Sequence, residues 1–130
     1  MSPKDISGFY QWLRPRLAGK GYTELAPIEP LQLGFFKHGA LSLPYVVAVK
    51  DATYTTDSPT KIFQRVEGWF QTLIGRTGAG LLLFVCHQPL ATTVEEIEKI
   101  GGQVVAGAYD LFTGRDRVPE HLGWRQEIFG

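Results

Sequence analysis

Gly80-Leu81-Leu82-Leu83-Phe84-Val85-Cys86-His87 is the stretch that decides the fold. A strand with one wet face would alternate apolar and polar residues, whereas this run stays apolar, so both of its faces must be covered. It is far shorter than the roughly 18 apolar residues at which a membrane helix comes into question. The run therefore predicts a central β-strand sandwiched between helices.

The flanking sequence supplies the cover. Upstream, Asp57 or Ser58 can cap a helix whose first turn holds Pro59 and which runs to about Gly75. Ile62, Val66, Trp69 and Leu73 form its apolar row, with Phe63, Phe70 and Ile74 beside it. Downstream, Pro89 and Thr92 or Thr93 open a short helix through Ile100, with Val94, Ile97 and Ile100 as the buried row. Gly101-Gly102 ends that helix, and Gln103 to Tyr109 reads as another apolar strand. Strand, helix and strand in this order predict a right-handed crossover between parallel strands. Further upstream, the run from Leu31 to Phe36, the turn His38-Gly39-Ala40 and the run from Tyr45 to Lys50 predict a hairpin. Tyr22 to Pro30 is at best an edge strand, because Pro27 and Pro30 interrupt it.

Ser2 as N-cap, Pro3 at the first helical position and Ile6, Phe9, Tyr10, Leu13 and Leu17 at helical spacing predict an N-terminal helix to Ala18. Pro15 is expected to kink or shorten it. Leu111 to Arg115 reads as a turn between strand residues, and Pro119 to Phe129 as a short terminal helix carrying Trp124 and Phe129. The expected fold is α/β: a mixed sheet with helices on both faces, in the order α-β-β-α-β-α-β, over residues 1–130 as a single domain.

Composition bounds the partners. The chain has 130 residues, 44% of them hydrophobic and 20% charged, which is ordinary for a globular domain that needs no staple. Thirteen basic residues balance thirteen acidic ones, so no net field gathers nucleic acid or anionic lipid. The single cysteine, Cys86, lies inside the apolar run, which suits a reducing compartment, and a cytoplasmic setting is expected. No membrane insertion by this chain is expected.

Candidate chemistry is sparse. Gly75-Arg76-Thr77-Gly78-Ala79-Gly80 has the composition of a phosphate loop, but its glycines follow a helix and open a strand, the reverse of the order that brings amides to phosphates. It reads as a helix C-cap and tight turn. His87 sits at the carboxyl end of a parallel strand, where open α/β sheets bind ligands; the competing reading is a strand-end histidine bonded to backbone. Cys86 beside it points to the opposite face, so no dyad forms. His38, His87 and His121 lack metal-ligand spacing. The polar cluster Lys50, Asp51, Asp57 and Lys61 has two readings: Asp51 and Asp57 hold Mg²⁺ or Mn²⁺ through oxygen, with Lys61 and His87 as ligand contacts; or Asp51 starts a turn, Asp57 caps a helix and the lysines are solvated.

The element order, with Lys50 ending the second strand of the hairpin, resembles the restriction-endonuclease-like superfamily. Active members of that family place an acid two residues before such a lysine to organise a metal-activated water. Here the sequence reads Ala48-Val49-Lys50, and no Pro-Asp pair precedes it, so the resemblance implies a fold without the nuclease activity. A narrower resemblance, over roughly Phe9 to Gly114, is to the cytosolic N-terminal domains of some bacterial rhomboid proteases. Its features are a helix ending near Gly21-Tyr22, a strand ending Val49-Lys50-Asp51, the long helix to Gly75, the strand Leu81 to Val85 and a crossover strand ending before Asp110. It implies a non-catalytic regulatory or interaction domain, partnered by another protein or an attached membrane domain. The alternative is a freestanding Mg²⁺- or Mn²⁺-dependent nuclease with a migrated acid, Asp51 or Glu67, acting beside Lys50. A third reading makes the chain a partner-binding or homo-oligomeric protein through exposed Trp12, Trp69 or Trp124.

Overall fold

The apolar run becomes β4, Ala79–Cys86, and every residue of it is buried. A computed structural model describes residues 5–53, 57–87, 91–120 and 123–130. Ser2, Pro3, Pro89 and His121 lie outside the described residues, as do the side chains of Thr92, Thr93 and Val94.

β4 is covered as the apolar pattern requires. It pairs in parallel with β3, Pro44–Asp51, on one side and with β5, Val104–Asp110, on the other. β3 also pairs antiparallel with β2, Leu33–His38, which pairs antiparallel with the three-residue β1, Thr23–Leu25. A two-residue strand, β6, Asp116–Arg117, runs antiparallel along the outer edge of β5. The result is one six-stranded mixed sheet in sequential order from β1 to β6.

The helices divide between the two faces. On one face α1, Ile6–Gly19, and α4, Trp124–Phe129, pack on Val47, Val49, Leu81, Leu83 and Val85. On the other, α2, Pro59–Ile74, and α3, Ala91–Glu98, lie over Val46, Ala48, Leu82, Phe84 and Ala106. Successive strand residues alternate between these two cores, which is why β4 has no polar position.

Several local expectations are corrected. The α1 N-cap is Asp5, whose side chain accepts from the Gly8 amide at 2.6 Å, and the helix continues through Pro15 to Gly19. α2 keeps its expected bounds: it begins after Ser58, which accepts from the Lys61 amide at 3.2 Å, and ends on Gly75 with φ of 61°. Its buried row is Ile62, Val66, Phe70 and Ile74, so the helix is rotated from the row read in sequence, and Trp69 and Leu73 are only half-buried. Phe70 belongs underneath because Gly80 leaves room for its ring: a Cβ on Gly80 would lie 2.7 Å from Phe70 Cδ1. α3 stops at Glu98 rather than Ile100, although Ile100 is buried. Trp124 is buried and Trp12 and Trp69 are half-buried, so the tryptophans are packing residues, not an exposed aromatic surface.

The six-residue α4 is too short to persist in isolation. Cations from distant sequence hold its last-turn carbonyls. Arg16 Nε donates to Ile128 O at 3.0 Å, and Lys20 Nζ donates to Gln126 O at 2.9 Å and to Glu127 O at 2.5 Å. Lys37 adds an ion pair to Glu127 and lies over the rings of Tyr22 and Tyr45. Among the described residues, no helix is long and apolar enough to cross a membrane.

Candidate functional site

β3, β4 and β5 all end at the same edge of the sheet because they are parallel. α2 begins at that edge, since it returns the chain from the end of β3 to the start of β4. This edge therefore gathers Lys50 and Asp51 from β3, Asp57 and Lys61 from the entry to α2, and Cys86 and His87 from the end of β4.

Lys50 is the unusual member. Alternation along β3 puts it on the same face as Val46 and Ala48, under α2, next to Phe84 in register. It is 8% exposed, and its ammonium is not among the fully buried side-chain atoms left without a partner, which in the described residues are Tyr22 Oη and Trp124 Nε1. The stem is covered by the core while the ammonium comes to the edge of the sheet. Among the described residues the other buried charged one, Asp110, is fully employed: its carboxylate accepts from the Phe112 amide at 2.9 Å and from Thr113 Oγ1 at 2.7 Å, tying the turn between β5 and β6.

The remaining candidates do not converge on Lys50. Asp51 is adjacent in sequence and so points to the opposite face, towards α1. There its negative charge adds to burial in raising the Tyr10 phenol to about 12. Its carboxylate accepts from the Thr53 amide at 3.0 Å, and its own amide donates to Gln32 Oε1 at 2.5 Å. Asp51 thus starts a turn, as one of its two sequence readings has it. Asp57 is drawn to Lys61 at 3.9 Å and Arg65 at 3.6 Å, while Ser58, not Asp57, caps α2. Glu67 is exposed on α2, one residue past the buried Val66. Lys50, Asp51 and Glu67 therefore form no acid–lysine constellation. Among the described residues no group of three or more His, Cys, Asp or Glu could hold a metal ion.

His87 is exposed just beyond β4, and Lys61 is 68% exposed in the first turn of α2. Cys86 is a buried core residue: burial, then the charge of Asp110, pushes its thiol up to about 11. Behind this edge α2 and α3 are joined by Thr60 Oγ1, which donates to Glu96 Oε2 at 2.6 Å and, as the largest cause, lowers the Glu96 carboxyl below its ordinary range. The edge thus mixes Lys50 and Lys61 with Asp51, Asp57 and, at the end of β5, Asp110, and is built on packed elements without a carboxylate facing Lys50 from its own strand. The burial of Lys50 was the feature sequence reasoning missed; its parity with Val46 and Ala48 was the available signal.

Compared with protein-family models, curated proteins and solved structures, the chain matches none of them. Its chemistry has to be read from its own residues.

Proposed function

We propose that the chain is a non-catalytic binding domain of restriction-endonuclease-like topology, a sensing or interaction module that takes up an anionic group at the carboxyl edge of β3 and β4. The observation that carries this reading is Lys50, a lysine whose stem is buried under α2 and whose ammonium comes to the carboxyl edge of the sheet, on a strand where Ala48 occupies the position an acid would need. Lys61 and His87 at the same edge supply further positive or hydrogen-bonding groups. An anion arriving there would give the Lys50 ammonium a charge-assisted partner. The narrower reading, as the head of a rhomboid-type protease, rests on the sequence pattern from Phe9 to Gly114, and the geometry adds nothing to it.

The test pairs catalysis with binding. Duplex and single-stranded DNA incubated with Mn²⁺ and the protein should remain uncut. Inorganic phosphate should raise the melting temperature of the wild type and leave that of Lys50→Met unchanged. Metal-dependent cleavage lost in Lys50→Ala would replace this reading with the nuclease; equal phosphate response in both proteins would remove the anion site.

A further inference from the structure

We propose that the cavity between α3 and the β5–β6 edge binds a small amphiphilic carboxylate, its hydrocarbon body inside and its carboxylate on Arg117. The cavity holds about 480 Å³, within the range of about 300–1,000 Å³ usual for small-molecule sites. Its origin lies in side-chain size. Towards α3 the strand β5 presents Ala106 and Ala108, where neighbouring β4 presents Leu82 and Phe84. The eight-residue α3 then leaves unfilled space above the small residues.

The walls are Ile97, Ile100, Ala106, Ala108 and Val118, none more than 6% exposed. Such a lining offers almost nothing to hold water, which favours an apolar occupant. The mouth stays open for a backbone reason. Continuing the β5–β6 register past Ala108–Arg117 sets Pro119 opposite Ala106, and proline has no N–H with which to extend the ladder.

Charge at the mouth decides the class of ligand. Glu98 and Arg117 meet there at 3.3 Å, with side chains 69% and 65% exposed. A pair so exposed holds its members weakly. Arg117 can therefore exchange Glu98 for a ligand carboxylate, which its planar fork matches with two hydrogen bonds. This site lies two strands from Lys50 and does not depend on the anion site proposed there.

Calorimetric titration of the full chain with sodium octanoate, and with 1-octanol as the uncharged counterpart, tests the proposal. Saturable octanoate binding is expected. Arg117→Gln should weaken octanoate by about tenfold and leave octanol unchanged, the loss of one charge-assisted contact. Ala106→Val, which narrows the cavity, should weaken both. Arg117→Gln is a surface change that leaves the core intact, so the test stands even if the core variant fails to fold. Lys50→Met should bind octanoate like the wild type, which separates this site from the other. Absence of saturable octanoate binding overturns the proposal, as does octanoate binding that Arg117→Gln leaves unchanged.

Discussion

Lys50→Met should make the domain more stable. The lysine stem and the methionine side chain fill similar space beside Phe84, so the packing under α2 is nearly conserved. What differs is the ammonium. The residue is 8% exposed, but its ammonium is not among the fully buried atoms left without a partner, so it keeps part of its water. Partial loss of hydration at a group that still meets solvent costs less than the about 1–3 kcal/mol of a buried, unsatisfied one. A net gain of about 1 kcal/mol on replacement is expected, which at a urea slope of about 2 kcal/mol/M moves the midpoint up by about 0.5 M. Equilibrium urea unfolding followed by far-UV circular dichroism, with the slope checked for constancy, measures it. A midpoint that falls or stays put would show that Lys50 is satisfied in the fold, and the reason for assigning it a binding role would go with it. A gain in stability coupled to lost phosphate binding is the pattern expected of a residue kept for function.

Two glycines should respond in opposite directions to alanine. Gly78→Ala places a Cβ 2.5 Å from Pro44 O and 2.6 Å from Ile74 O, both backbone atoms, and should cost about 1–3 kcal/mol or more; Gly68→Ala meets nothing within 4 Å on an exposed helical position and should add about 0.5–1 kcal/mol. Thermal melts of the two variants check both signs. Leu41, at φ of 58° and 93% exposed in the β2–β3 turn, is strained without packing in return, so Leu41→Gly should stabilise by up to about 1 kcal/mol in urea unfolding. The Cys86 thiol rises from its ordinary value near 9 to about 11 on folding. The folded state therefore keeps a proton that the unfolded chain releases, and the stability it contributes is full below pH 9 and lost between about pH 9 and 11. Cys86→Ala should flatten that alkaline decline in urea midpoints; an unchanged pH profile would assign the decline to other groups.

The parts of this fold visible in sequence are those written in local signals. The continuous apolar run fixed β4, Ser58-Pro59 and Gly75 bracketed α2 to within a residue, and the strand–helix–strand order gave the parallel crossover. The rotation of α2 was hidden because Phe70 and Trp69 are both large and apolar, and only the gap at Gly80 selects Phe70. The anchoring of α4 was hidden for another reason: Arg16 meets Ile128 from 112 residues away, a distance over which no periodicity speaks. At the candidate site, strand alternation already separated Lys50 from Asp51. That Lys50 would be buried, and that Asp57 would turn to Lys61 and Arg65, depended on tertiary packing. The cavity beside β5 was equally invisible, since Ala106 and Ala108 suit a strand whether or not a helix fills the space above them.

The most direct measurement is a phosphate titration of the isotopically labelled protein followed by amide and lysine side-chain NMR. Saturable shifts confined to Lys50, the first turn of α2 around Lys61, and Cys86-His87 are the predicted result. Shifts scattered over exposed lysines and arginines, with Lys50 unmoved, would contradict an anion site at the carboxyl edge of the sheet.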